Sequence, residues 1–167
     1  MSGNWTTITK SEYLSHCAEV GPHHDWSKFG SGSIFRERIL RDDSTIRESL
    51  SQAYLPWYYD KSGEICSFNN PQAKNFRVDE YIHSSKGDLR VIDRPDLPVE
   101  IVTGYDTSIE KALIVDGCNR STSVTAFNLT QNKVSEVHLF EARGLSIHEV
   151  FPSDFGVISR NISIRPL

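Results

Sequence analysis

Lys111-Ala112-Leu113-Ile114-Val115-Asp116-Gly117-Cys118-Asn119-Arg120-Ser121-Thr122-Ser123 is the stretch that decides the fold. Ala112 to Val115 is a continuous apolar run, the pattern of a strand covered on both faces. Gly117 breaks the run, and Ser121 to Thr130 then reads as a helix with Val124, Phe127 and Leu129 toward the core. Asn132-Lys133 turns the chain. Ser135 to Glu141 alternates Val137 and Leu139 against Glu136 and His138, as a half-exposed strand does. Upstream, Leu97 to Val102 reads as a short strand, with Pro98 tolerated only near its start, and Gly104 to Ser108 as a turn. Residues 99–145 therefore form a strand–turn–helix–strand unit centred on Asp116 to Thr122.

Away from this unit the signals thin out. Residues 44–55 read as a helix capped by Ser44, with Ile46, Leu50 and Tyr54 at helical spacing, Ala53 on the same side, and Pro56 ending it. Trp57-Tyr58-Tyr59 begins a strand. Residues 67–90 are polar and turn-rich, an excursion with weak local structure. Before residue 40, Thr6 to Thr9 reads as a short strand and Ser11 to Cys17 as a helical turn capped by Ser11. Residues 21–33 are rich in breakers. Ser146 to Phe151 suggests a short helix, and Val157 to Pro166 an edge strand.

The chain has 167 residues, 38% hydrophobic and 24% charged, with a formal net charge of -4. That suits one domain with a real core. The mean hydropathy of -0.40 agrees. An acidic balance weighs against a protein that lives by gripping nucleic acid, because that affinity comes from neutralising phosphates. Arg36, Arg38, Arg41 and Arg47 form a local basic run, but Asp42 and Asp43 interrupt it, so it reads as a mixed-charge face. Three cysteines (Cys17, Cys66 and Cys118) without a CxxC spacing do not make a disulfide scaffold. Reduced thiols, no apolar leader at the N-terminus and no membrane-length apolar run point to a cytoplasmic protein.

The turn carries the chemistry. A strand feeding a helix through glycine leaves backbone N–H groups pointing into one small volume, and the helix dipole adds partial positive charge. Anions bind such places. Arg120 adds a guanidinium fork suited to phosphate oxygens. Ser121, Thr122 and Ser123 add hydroxyls. Asp116 is at the strand end, where it orders the loop, holds a metal or acts as a base. Cys118 sits at the helix start, where a thiolate is stabilised. The same residues also suit a plain Asp-Gly turn with Ser121 or Thr122 capping the helix. Spacing alone leaves both readings open.

The order apolar strand, Asp-Gly-x-x-Arg, helix, turn, strand resembles the ParB/sulfiredoxin superfamily. The family's G-x-x-R box corresponds here to Gly117-Cys118-Asn119-Arg120. The likeness covers residues 99–151 well and 44–60 loosely. It implies an α+β fold, a small mixed sheet with helices, in a single domain over 1–167. The core would span about 44–60 plus 97–151, with an N-terminal extension and an insertion at 61–96. It further implies nucleotide binding, of ATP or CTP with Mg²⁺, at Gly117, Cys118, Asn119, Arg120, Ser121 and Thr122. Asp116 or Glu100 would serve as base or metal ligand, and phosphotransferase or hydrolase activity would follow. Cys118 matches the sulfiredoxin nucleophile. Asn119 replaces that family's histidine and Asp116 its second glycine, which points away from sulfinic-acid reduction and toward the ParB-like and serine-kinase-like branches.

Two alternatives belong to other classes. One is a nuclease or nucleic-acid-processing protein on the same fold, using His23, His24 or Asp25. The other is a non-catalytic module that binds or inhibits a protein partner. His16, Cys17, His23, His24 and Asp25 are metal-capable side chains, but their spacing matches no standard zinc pattern. Trp5, Trp26 and Trp57 with Tyr54, Tyr58 and Tyr59 suit base stacking or, more commonly, core and interface anchoring.

Overall fold

The computed structural model describes residues 3–17, 32–59, 74–84, 98–107, 110–131 and 136–144. Strand β1 is Thr6–Ile8, helix α1 Lys10–Ser15, strand β2 Ile34–Leu40, helix α2 Asp43–Leu50 and strand β3 Tyr54–Tyr59. Strand β4 is Lys74–Arg77, helix α3 Val78–Ser84, strand β5 Val99–Asp106 and strand β6 Lys111–Asp116. Helix α4, Cys118–Gln131, and strand β7, Val137–Arg143, complete the described elements. The strands make one mixed sheet in the order β1-β2-β7-β5-β6-β3-β4. β5 runs antiparallel to β6 and parallel to β7. The class is α+β, as the sequence implies. Among the described residues no helix is long and apolar enough to cross a membrane.

The strand–turn–helix–strand unit stands as the centre of the molecule. Its helix starts at Cys118, one turn before the expected Ser121, because the Ser121 N–H already donates to the Gly117 carbonyl at 2.7 Å. β5 continues through the segment expected to turn, as far as Asp106. The wider sheet differs more. Residues before 40, expected as an extension, supply β1 and β2, and β2 pairs with β7 from Ile34↔Arg143 to Leu40↔Val137. Residues within the expected insertion supply β4 and α3. The tail beyond 144, with its expected helix and edge strand, lies outside the described residues.

Local caps explain the helix boundaries. In α1 the cap is Thr9, not Ser11. Thr9 N–H donates to Glu12 Oε2 at 2.6 Å while Glu12 N–H donates to Thr9 Oγ1 at 3.1 Å, a reciprocal capping box. In α2 the cap is Asp42, not Ser44: its Oδ1 accepts from Thr45 N–H at 2.9 Å. Ile46 and Leu50 are buried as expected. Ala53 and Tyr54 are buried too, but past the end of the helix. Val78 N–H donates to Ala53 O and Asp79 N–H to Ser51 O, and Tyr54 opens β3 opposite Leu113. Tertiary pairing overrides the helical spacing. Pro56 lies within β3 rather than ending a helix. The register with β4 shifts between Tyr54 and Tyr58, where the missing proline N–H interrupts the ladder.

The sheet has two unlike faces. On one, the cross-strand row Leu40–Val137–Val99 and the pair Leu139–Ile101 meet Ile46, Leu50 and Val124 from α2 and α4 in the core. Each fully buried aliphatic side chain there is worth roughly 1.5–3 kcal/mol. On the other face lies α1. Tyr13 is wholly buried, donates its hydroxyl to Thr103 O at 2.9 Å and packs on Phe35.

Candidate functional site

β6 delivers Asp116 to the end of the sheet, beside Val102 of β5. Gly117 then adopts φ +89°, a left-handed conformation that glycine takes without strain. Space reinforces the requirement. A Cβ at Gly117 would lie 3.2 Å from both Arg120 Nε and the Glu100 carbonyl oxygen. Asp116 bridges the turn: Oδ1 accepts from Gly117 N–H at 2.8 Å, and Oδ2 pairs with Arg120 Nη2 at 2.9 Å. Arg120 therefore lies over the helix start as expected, but with a protein carboxylate already on its fork. The pair is accessible, the Arg120 side chain 42% exposed and that of Asp116 25%. Val115, Asp116, Gly117, Cys118 and Arg120 line a shallow open depression.

Several expected roles change. Ser121 and Thr122 are buried, and their hydroxyls donate to the Cys118 carbonyl at 2.8 and 3.1 Å. They reinforce the first helical turn and do not line the depression. The expected thiolate at Cys118 is reversed. Burial pushes the thiol up to about 12 and the Asp116 charge adds to this, while its own amide and Arg120 only partly oppose it. Cys118 packs against the core. The Asn119 side chain lies outside the described ones.

Glu100, expected as a base or metal ligand, lies beside Gly117 through its backbone carbonyl. Its carboxylate reaches a residue that no local pattern pairs with it: His16 Nδ1 lies 3.3 Å from Glu100 Oε2. The His16 ring stacks on Phe140, with centroids 3.8 Å and planes 15° apart. His138 flanks the same Phe140 and pairs through Nε2 with Glu37 Oε2 at 3.0 Å. Cys17 also faces this end. Burial, with the charge of Asp116 added, pushes its thiol up to about 12. His23, His24 and Asp25 lie outside the described residues, as does Trp26. Among the described residues no three His, Cys, Asp or Glu side chains are grouped to hold a metal ion. Of the aromatic side chains, Tyr54 is a core residue, Trp5 covers two arginines, and those of Trp57, Tyr58 and Tyr59 lie outside the described ones.

Comparison of the chain with protein-family models, with curated proteins and with solved structures gives no match.

Proposed function

We propose that the turn after β6 binds the phosphate end of a nucleotide, ATP or CTP, on a fold of ParB/sulfiredoxin type, and that phosphoryl transfer or nucleotide hydrolysis follows there. The observation that carries this reading is Gly117, a left-handed residue at a strand end with a guanidinium packed on its bare α-carbon. Arg120 fills the space a side chain would take at Gly117, so the glycine lets the guanidinium lie at the helix start, where a phosphate oxygen would meet it. The fourteen-residue helix beginning at the next residue contributes its dipole. Arg120 contributes a full charge at the same end.

The turn carries its own counter-ion. A phosphate must displace Asp116 Oδ2 from Arg120, or arrive with a cation that engages Asp116. Asp116 is an oxygen donor of the type Mg²⁺ takes alongside substrate phosphates, and it is the residue here that would hold that ion. When bound, Mg²⁺ supplies charge neutralisation on the phosphates. Arg120, freed from Asp116, stabilises charge developing on the transferred group. Glu100, oriented by His16, serves as the base that takes a proton from the attacking hydroxyl or water. Cys118 contributes backbone, not a thiolate.

Calorimetry with Mg²⁺-ATP and Mg²⁺-CTP tests this directly. The parent chain is expected to bind one of them, and Arg120→Ala to lose at least about tenfold in affinity, roughly 1.4 kcal/mol. No heat with the parent chain rejects the reading.

A further inference from the structure

The core face of the sheet changes character along the strands. Beyond the apolar rows under α2 and α4 come the row Arg36–Glu141–Thr103 and the pair Arg143–Tyr105. Trp5 closes one side, Lys111 the other, and Ser49 the helix side of a cleft of about 310 Å³. It lies at the opposite end of β6 from the Asp116 turn.

The charges here are not evenly matched. Glu141, 8% exposed, holds Arg36 through Nε at 2.9 Å and Nη2 at 2.7 Å, and has Arg143 Nη1 at 3.8 Å. Arg38 makes no ion pair among those found in the described residues. Its Nη2 donates to Ser49 Oγ at 2.6 Å, and its Nε is buried with no hydrogen-bond partner among the described residues. Burial and the neighbouring Arg36 press its pKa downward, against the pull of Glu141 and Glu48. Glu48 and Glu110 also line the cleft, so four cations face three carboxylates, of which one is engaged with two arginines. The guanidinium groups are also held in place. Those of Arg36 and Arg38 lie 3.9 and 4.4 Å from the Trp5 ring centroid, and that of Arg143 lies 4.2 Å from the Tyr105 centroid.

We propose that this cleft is a second ligand site, taking a phosphate-bearing small molecule whose phosphate oxygens engage Arg38, Arg143 and Lys111. Pre-oriented guanidinium forks on neighbouring strands suit a multiply charged tetrahedral anion. The volume is that of a small-molecule pocket and exceeds what a bare phosphate needs. Leu139, Ala53 and Ala112 supply apolar lining for the organic part.

Calorimetry with pyrophosphate, and with citrate at matched ionic strength, tests the site and its class. Pyrophosphate is expected to bind. Arg38→Gln and Arg143→Gln should each weaken it at least tenfold, while Arg41→Gln, whose exposed pair with Glu136 lies outside the cleft, leaves it unchanged. Arg143 is 40% exposed, so its variant keeps the test meaningful should Arg38→Gln fold poorly. No pyrophosphate binding, or binding kept at full strength in both Arg38→Gln and Arg143→Gln, overturns the proposal. Citrate binding as tightly as pyrophosphate overturns the phosphate assignment.

Discussion

At the Asp116 turn, one accessible carboxylate serves one accessible guanidinium, and the charges close on each other. In the cleft, one buried carboxylate serves two guanidinium groups, while a third has a buried nitrogen with no hydrogen-bond partner among the described residues. On the readings proposed above, an anion at the turn has to displace Asp116, whereas in the cleft Arg38 makes no ion pair among the described residues. On that proposal a carboxylate beside an arginine gates the turn, and in the cleft it is a buried anchor for Arg36. Its burial decides which.

The difference can be broken or sharpened at four residues. The largest effect is on Cys118. A thiol pushed up to about 12 from an ordinary 9.0 exposes roughly a thousandfold less thiolate at neutral pH. Alkylation of Cys118 with iodoacetamide, followed by peptide mass spectrometry, should run about a thousandfold slower than that of a free cysteine peptide. Labelling at the free-thiol rate would mean that Asp116 and burial do not dominate the turn. The sign on stability follows. A raised folded-state pKa favours the fold below about 9, and this contribution fades as pH climbs from there toward 12.

Next comes Glu141. Glu141→Gln removes the anchor from two guanidinium groups at a buried position, and urea unfolding should show a loss of about 3 kcal/mol. Asp116→Asn removes the equivalent charge at the accessible turn and should cost under about 1 kcal/mol. Equal costs would erase the distinction drawn here. Between them lies Gly117→Ala, at roughly 1–2 kcal/mol, because an L-residue must hold a left-handed φ there against the Glu100 carbonyl. A neutral result in the same unfolding assay would remove the conformational argument for that glycine.

Local signals made the centre of the fold legible. The run Ala112 to Val115, the break at Gly117 and the alternation at Val137 to Leu139 each report one element within a few residues. β2 was hidden because the residues it turns toward the cleft are Arg36 and Arg38, so half of its alternation is charge rather than apolar surface. Ala53 and Tyr54 fitted a helix by spacing, but partners far along the chain, Val78 and Leu113, decided their conformation. His16 and Glu100 are 84 residues apart, and no local pattern joins them. Ser121 and Thr122 were ambiguous for another reason: a hydroxyl at a helix start can face a ligand or the helix itself, and only burial chooses.

Amide chemical shifts, followed by two-dimensional ¹H–¹⁵N NMR during titration with Mg²⁺-ATP and with Mg²⁺-CTP, locate a nucleotide residue by residue. If phosphate sits on the backbone just past β6, the largest displacements fall on residues 117–120 with one of the two nucleotides. Shifts confined to the strands around Arg38 and Arg143, or none anywhere, would contradict the account.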